Sequence, residues 1–237
     1  MIYKIADFNI EIKFLHPRTA LFLAGYEAKD GAAADFSIEV TEADIDREIE
    51  GIISLEKKLR FSRIYLERLA ILRKLAGEIL ARGAFLMHGA VIEYQQKGYI
   101  FGAASRTGKT THILLWQELF GKENVSIING DKPILRMIDG RFYAYGTPWC
   151  GKEGFNVNGR VELFGISFIK RAKQNSIEKI SETAALQNIM SQIMVADSPN
   201  LLKQLELVGY LVESVPMYNL YCNKDIEAAE VAYNGMK

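Results

Sequence analysis

The sequence has little cysteine, no excess of either charge and no long apolar run. Its two cysteines, Cys150 and Cys222, are too few for a disulfide framework and form no Cys-x-x-Cys pair, so we expect two reduced thiols. The 29 basic residues equal the 29 acidic residues, which gives no long-range attraction to nucleic acid or to an anionic membrane. No stretch reaches the roughly 18 apolar residues of a membrane span, and the first residues lack the apolar region of a signal peptide. We therefore expect a soluble, cytoplasmic protein with no nucleic-acid or membrane partner.

Several catalytic patterns are absent as well. The chain has no zinc-ligand spacing, no Ser-His-Asp signature and no dinucleotide-binding G-x-G-x-x-G. It has no internal repeat and no low-complexity segment. Its 49% hydrophobic and 24% charged residues are ordinary for a globular protein, so a sizeable core is expected.

Hydrophobic periodicity predicts a mixed α/β protein. Helices are predicted at residues 64–82, 109–120, 181–194, 198–208 and 225–234. Strands are predicted at residues 2–5, 8–12, 36–40, 85–94, 98–101, 126–129, 134–137, 141–145, 163–169 and 215–221. We divide the chain into a β-rich N-terminal extension, residues 1–60, and a nucleotide-binding domain, residues 61–237. The glycine-rich stretch 146–159 is predicted to be an irregular functional loop.

A strand, a loop and then Gly108, Lys109 and Thr110 at the start of a helix form the setting of a phosphate-binding loop. Backbone N–H groups at the helix start attract anions, and Gly108 allows close approach of the phosphates. Lys109 is expected between the β- and γ-phosphates, and the Thr110 hydroxyl on Mg²⁺. The alternative is a surface turn before an ordinary helix. The predicted nucleotide-binding residues are Gly102, Ala103, Ala104, Ser105, Arg106, Thr107, Gly108, Lys109, Thr110 and Thr111.

Four segments resemble the HPr kinase/phosphorylase C-terminal family, which shares a core with the phosphoenolpyruvate carboxykinases. Residues 87–91 are similar to its His-Gly strand, 98–101 to its second strand, 103–110 to its G-x-S-G-x-G-K-[ST] loop and 128–131 to its acidic motif. The stretch 130–153 resembles a bacterial subgroup of kinase-like proteins, some of whose relatives accompany ribosomal-peptide biosynthesis. The resemblance covers roughly residues 60–235. It implies a P-loop kinase core in a mixed sheet, with ATP and Mg²⁺ as cofactors.

The sequence departs from the family pattern at two places. Ala103 and Arg106 replace glycines of the loop. If position 106 needs a positive φ, an arginine there costs on the order of 1 kcal/mol, which a contact between its guanidinium and phosphate would offset. The family's paired aspartates are reduced to Gly130 and Asp131, so Mg²⁺ binding and base catalysis are expected to share one carboxylate.

Five residues are predicted to be catalytic: Asp131, Lys109, His88, Lys152 and Glu153. Asp131 follows a strand, where ligands bind in open α/β sheets, and we expect it to orient the acceptor and to ligate Mg²⁺ with Thr110. Its alternative is a turn-forming aspartate. His88 contacts phosphate or an acid by analogy with the family, or else is a structural histidine. We expect Lys152 to bind the transferred phosphoryl group and Glu153 to bind Mg²⁺ or the acceptor. The alternative is that the two form a solvated charge pair.

Two further residues have open roles. His112 lies one turn into the loop helix and either packs or lines the site. Arg171 is a candidate charge clamp, although no geometry follows from its position in the sequence.

Three functions remain open. The first is a kinase acting on Ser or Thr of a peptide or protein, the second a small-molecule kinase of the same fold, and the third a non-catalytic nucleotide-binding or scaffold protein. Residues 1–60 carry no chemical motif. They are expected to shape the acceptor site or to form a homo-oligomer contact.

Overall fold

The computed structural model describes residues 1–54, 61–194 and 200–237, which form two compact units. The first unit is Met1–Ile79 and the second is Leu80–Lys237. The domain boundary predicted from the sequence lies earlier, at residue 60, and residues 55–60 lie outside the described residues. Among the described helices, none combines the length and the apolar character that crossing a membrane requires.

Within its described residues, the first unit consists of a small mixed sheet and three helices. Its strands are β1 (Ile2–Ile5), β2 (Phe8–Lys13) and β3 (Phe36–Glu39), and its helices are α1 (Arg18–Phe22), α2 (Glu42–Ser54) and α3 (Arg63–Leu80). Strand β2 pairs antiparallel with β1 and parallel with β3. Alternate residues of these strands are buried, as expected for strands with one face in a core.

The prediction of a β-rich extension was wrong, because the segment contains two helices that it left out. Helix α2 alone spans 13 residues. The turn before it is closed by Asp44, whose Oδ2 accepts hydrogen bonds from the backbone N and the Oγ1 of Thr41, each at 2.8 Å. This is the reciprocal half of a capping box, so the sequence Thr41-x-x-Asp44 carried a local signal for this helix.

Several ion pairs join α2 to α3, and two of them use buried carboxyl groups of α2. Asp44 Oδ2 lies 2.8 Å from Lys74 Nζ, and Arg73 donates two hydrogen bonds to Glu48 at 2.6 and 3.0 Å. Both carboxyl groups are 7% exposed. Burial acts to raise the pKa of Asp44, but the hydrogen bonds from Lys74 and Thr41 outweigh it and lower that pKa to about 2. The carboxylate of Asp44 is therefore a stabilising group of the first unit.

The second unit contains nine strands and four helices within its described residues. The helices are α4 (Lys109–Phe120), α5 (Glu182–Met190), α6 (Leu201–Ser214) and α7 (Glu227–Gly235). The strands are β4 (Ala84–Leu86), β5 (Gly89–Tyr94), β6 (Lys97–Gly102), β7 (Val125–Asn129), β8 (Ile134–Ile138), β9 (Arg141–Tyr145), β10 (Arg160–Arg171), β11 (Ser176–Lys179) and β12 (Met217–Cys222).

Most predicted elements of this unit lie close to the observed ones, with some differences. Helix α5 ends at Met190 and α6 at Ser214, whereas their predicted ends were residues 194 and 208. The predicted strand 85–94 is broken into β4 and β5, because the N–H of Met87 bonds to Pro133 and that of His88 to Gln192 instead of continuing one ladder. Strand β11 was not predicted. Helix α6 begins at Leu201, while residues 198 and 199 of its predicted range lie outside the described residues.

The strands form one mixed sheet, in the order β4-β8-β9-β10-β6-β5-β7, with β12 beside β10 and β11 beside β12. Strands β6, β10 and β12 are mutually parallel. Strand β5 is antiparallel to both β6 and β7, so β7 runs in the same direction as β6. The strand order therefore brings the C-terminal ends of β7, β6, β10 and β12 to one edge.

Side-chain alternation divides the core of this unit between two faces of the sheet. Val91 and Ile100 belong to an apolar cluster with residues of α5 and α6, such as Ile189 and Leu211. Their strand neighbours Ala90, Ile92, Tyr99 and Phe101 belong to a second cluster with residues of α4 and α7, such as Trp116 and Ala229. Because helices cover both faces of the sheet, a ligand is expected at the edge where β7, β6, β10 and β12 end.

Candidate functional site

The sequence-predicted site residues meet at the edge where β6 and β7 end. Residues 103–108 follow β6, and Asp131 follows β7 by two residues. Strand β5 runs the other way, and Gly89 at its start is paired with Gly102 at the end of β6. His88 therefore lies at the same edge as the loop and the aspartate, as ligand sites in open α/β sheets do.

The loop leaves the first N–H groups of α4 without side-chain partners. Gly108 precedes the helix with φ of 127°, a conformation that favours glycine, and no side chain caps it. The early N–H groups of a 12-residue helix have no intrahelical partner, so they are available to an anion. Arg106 has φ of 64°, so the condition under which an arginine at this position carries a backbone cost is met.

Arg171 fixes the backbone of this loop from the end of β10. Its Nε donates to the carbonyl oxygen of Thr107 at 3.1 Å, and its Nη2 donates to that of Arg106. A guanidinium bridging two successive carbonyls restrains the peptide at the strained position. Arg171 therefore holds the backbone of the loop, and its guanidinium makes no contact with Asp131 in the described hydrogen bonds.

Lys109, His88 and Asp131 form a chain of polar contacts. Lys109 Nζ lies 2.9 Å from His88 Nε2 and donates to the carbonyl of Ala103 at 3.0 Å. The same His88 Nε2 lies 3.2 Å from Asp131 Oδ1. One ring nitrogen either accepts from Lys109 or donates to Asp131, so the two contacts require different protonation states of the cluster. A ligand that draws Lys109 away leaves His88 free to donate to Asp131.

Burial and the neighbouring charges shift three pKa values in the cluster. Burial lowers the pKa of Lys109, which is only 8% exposed, and the positive charge of Lys132 adds to this effect against the attraction of Asp131. For Asp131, burial acts to raise the pKa, but the hydrogen bond from His88 and the charges of Lys132, His88 and Lys109 outweigh it and lower the pKa. Burial also lowers the pKa of Lys132. Lys132 is therefore an electrostatic partner of the site that sequence analysis missed.

Asn129, at the end of β7, sets the position of Asp131. This buried amide accepts hydrogen bonds through Oδ1 from the backbone N of Asp131 at 2.9 Å and of Lys132 at 2.8 Å. Its Nδ2 donates to the carbonyl of Thr147 at 3.0 Å. Sequence analysis missed this role too, although an Asn-Gly pair after a strand is a recognised turn signal.

Gln192 links the loop to the segment between β4 and β5 that carries His88. With its amide nitrogen facing inward, it donates to the carbonyl oxygens of Ala103 at 3.1 Å and of His88 at 3.2 Å. No sequence signal pointed to this residue, because the contact joins segments about a hundred residues apart.

The glycine-rich loop 146–159 folds back onto the segment that contains Asp131. A Cβ on Gly146 would lie 1.9 Å from the carbonyl oxygen of Val157, and one on Gly130 would lie 2.7 Å from that of Cys150. A Cβ on Gly151 would lie 3.5 Å from both Asp131 Cβ and Glu153 Oε2. The loop therefore brings a second carboxylate close to Asp131, at a site where the sequence motif offers only one.

An open cleft of about 460 Å³ joins these groups. It contains all five predicted catalytic residues, His88, Lys109, Asp131, Lys152 and Glu153, together with Ser105, Arg106, Gly108, Thr110 and Thr111. The side chain of Lys152 is 90% exposed and lies 3.9 Å from Glu153. The other predicted binding residues lie outside it: Gly102 and Ala103 are buried, Ala104 accepts a turn hydrogen bond, and Thr107 faces a second cleft.

The oxygen groups of the cleft suit Mg²⁺. Thr110, Asp131 and Glu153 offer one hydroxyl and two carboxylates. In the described part of the chain no three His, Cys, Asp or Glu side chains cluster as a self-sufficient metal site. Mg²⁺ typically binds through one or two carboxylates plus substrate phosphates, so this donor set fits a metal that arrives with a nucleotide.

Comparison with known proteins gives distant structural likenesses. No family model matches the chain, and no curated protein matches it. Among solved structures, it is similar to the Hpr(Ser) kinase/phosphatase from Coxiella burnetii, with a TM-score of 0.38 and 9% sequence identity, over 63% of this chain and 95% of that chain. A likeness at this level carries no argument about activity, so membership of that family stays a prediction.

Proposed function

We propose that the chain is an ATP- and Mg²⁺-dependent kinase that transfers a phosphoryl group to a hydroxyl acceptor. The observation that carries the proposal is the contact chain Lys109–His88–Asp131 at an uncapped helix N-terminus in one cleft. Phosphoryl transfer requires mainly positioning and charge neutralisation, and this arrangement offers both.

Each residue has a defined role in this proposal. The N–H groups of α4 and the ammonium of Lys109 bind the phosphates. His88, once Lys109 turns to the phosphates, donates to Asp131 and holds its carboxylate toward the acceptor hydroxyl. Thr110, Asp131 and Glu153 would hold Mg²⁺, which neutralises charge on the phosphates. Lys152 and Arg106 stabilise charge on the transferred group.

The acceptor we favour is a Ser or Thr of a peptide or protein, as the sequence resemblance implies. The first cleft is open to solvent beside Lys152 and Glu153, which suits a chain that binds along the surface. A small-molecule kinase is the alternative acceptor class. A non-catalytic nucleotide-binding protein is favoured by one observation, the arginine at a positive φ inside the phosphate loop.

A thermal-shift measurement with MgATP, MgGTP and pyrophosphate on the wild type and on Lys109→Ala tests binding. A ligand at a hundred times its Kd should stabilise the wild type by about 2.7 kcal/mol, and Lys109→Ala should lose that shift. ADP release with Ser- and Thr-containing peptides then tests transfer. No shift with any nucleotide would contradict the proposal, and binding without transfer to any acceptor would favour the non-catalytic function.

A further inference from the structure

A second cleft, of about 370 Å³, lies on the other side of the phosphate loop from Asp131. It is formed where the parallel strands β10 and β12 end, with Ile169 and Arg171 from the first and Cys222 from the second. No sequence motif pointed to it, because its wall combines the loop with two strand ends distant in the chain.

The two clefts meet at the loop. Arg106, Gly108 and Thr111 line both of them. One elongated ligand can therefore pass over the start of α4 with its ends in different clefts. We propose that the second cleft holds the base and ribose of the nucleotide whose phosphates occupy the first, an inference that rests on the proposed function.

The lining of the second cleft suits a nucleoside. Ile169, Ala172 and Cys222 give an apolar wall against which a flat base can pack. Arg106, Arg171 and Lys224 add three cations, and the described residues that line the cleft include no carboxylate. These positive charges would attract the α-phosphate, which is attached to the ribose of the nucleotide.

The turn after β12 is held rigid by its own hydrogen bonds. Asn223 donates to Asp225 Oδ2 at 2.7 Å and accepts from the backbone N of Asp225 at 2.9 Å. Because these bonds occupy its amide, Asn223 shapes the wall of the cleft instead of reading the base. Preformed walls of this kind are typical of small-molecule sites.

His112 places a buried donor in the same wall. Burial lowers its pKa to about 3, so the ring is neutral, and its Nε2 accepts from Trp116 Nε1 at 3.1 Å. The proton must then be on Nδ1, which is buried and has no hydrogen-bond partner within the described residues. A buried donor without an acceptor is costly unless a ligand or water supplies one.

A ligand that spans both clefts would explain why an arginine occupies the strained backbone position 106. It lies at the junction of the two clefts, in a conformation that glycine would adopt more easily. An arginine side chain at that junction can reach both the base and the phosphates, through stacking and bidentate hydrogen bonds.

Comparing ATP with inorganic tripolyphosphate, each with Mg²⁺, separates the two clefts. Ala172→Trp fills the second cleft from a half-buried position. We expect it to weaken ATP binding at least about tenfold, measured by calorimetry, while tripolyphosphate binding stays unchanged. The matched control is Ala184→Trp, at a half-buried alanine of α5 that lines neither cleft, and it should bind both ligands like the wild type.

Hydrogen–deuterium exchange of the wild type gives a second, variant-free measurement. ATP should protect residues 169–172 and 222–224 beyond the protection given by tripolyphosphate. Equal protection by the two ligands, or unchanged ATP affinity in a folded Ala172→Trp, would overturn the inference while leaving the proposed function intact. Failure of the wild type to bind either ligand would overturn both.

Discussion

Lys109, His88 and Asp131 form a half-buried group in which each proton affects the others. Lys109 and Asp131 both contact the same nitrogen of His88, so the protonation of one partner changes the hydrogen bond of the other. The hydrogen bonds of Lys109 and Asp131 are therefore coupled through His88. Variants must therefore be compared as pH profiles and not at one pH.

Removing the carboxylate of Asp131 should separate catalysis from binding. In Asp131→Asn, the acceptor loses the group that orients it, and we expect phosphoryl transfer to fall at least about a hundredfold. Nucleotide affinity should fall less, because the N–H groups of α4 and Lys109 remain. Steady-state kinetics and calorimetry on the same sample measure the two effects. Equal losses in both would assign Asp131 to nucleotide binding alone.

Lys132 should move the alkaline limit of nucleotide binding. Burial is the main cause of the lowered pKa of Lys109, and the positive charge of Lys132 adds to it, so Lys132→Gln should raise that pKa. Because protonated Lys109 binds phosphate, affinity is present below its pKa and is lost as the pH rises through it. We expect the alkaline loss of ATP affinity to begin at higher pH in Lys132→Gln. An unmoved profile would mean that another group controls that limit.

Asp44 should make the stability of the first unit depend on acid pH. Its pKa of about 2 lies below the ordinary value of 3.8, so its contribution is complete above pH 4 and is lost as the pH falls toward 2. Asp44→Asn should therefore lower the free energy of unfolding by roughly 2 kcal/mol at pH 7 and by little at pH 2. Denaturant unfolding at both pH values measures it. A cost independent of pH would point to lost packing.

At the scale of elements, the phosphate loop places an arginine in a strained backbone conformation, and we propose that its side chain contacts the nucleotide. Arg106→Gly removes the cost of a positive φ, whereas Arg106→Ala keeps it and removes the same guanidinium. Both should weaken ATP binding, but only the glycine variant should keep or raise the melting temperature. Thermal unfolding with and without MgATP distinguishes them. Wild-type affinity in both would exclude a role for this arginine in binding.

The loop 146–159 depends on close backbone packing at Gly146. A Cβ there would lie 1.9 Å from the carbonyl oxygen of Val157 and 2.6 Å from that of Ile128, so the loop must move in Gly146→Ala. We expect a loss of about 2 kcal/mol or more in stability and a loss of transfer activity, because Glu153 moves with the loop. Gly159→Ala meets only a Val157 methyl group at 3.5 Å and is the control.

The sequence predicted the elements whose signals are local. Helix α4 has the predicted bounds, and the order strand, loop, helix with Asp131 after the next strand located the first cleft correctly. Helix α2 was not predicted, although Thr41-x-x-Asp44 is a local capping signal for it. Asn129, Gln192 and the second cleft depend on contacts between distant segments, which periodicity does not encode.

For the whole molecule, the division into two units predicts where ligand effects appear. The residues of both clefts lie in the unit Leu80–Lys237. If the units open separately, MgATP stabilises only the unit that binds it. Hydrogen–deuterium exchange should then show slower exchange at residues 102–112 and 129–132 and no change at residues 1–54. Slower exchange throughout the first unit would show that the two units unfold together.

The pairing of β10 also has a consequence for synthesis on the ribosome. Its residue Ser167 pairs with Phe101 of β6 on one side and with Tyr218 of β12 on the other. A nascent chain that already contains the whole phosphate loop has β5 on one side of β6 but still lacks β10 on the other side. Translation adds roughly 5–20 residues per second, so β6 waits several seconds for β10. During that interval β6 has an open edge, which is where a chaperone would be needed most.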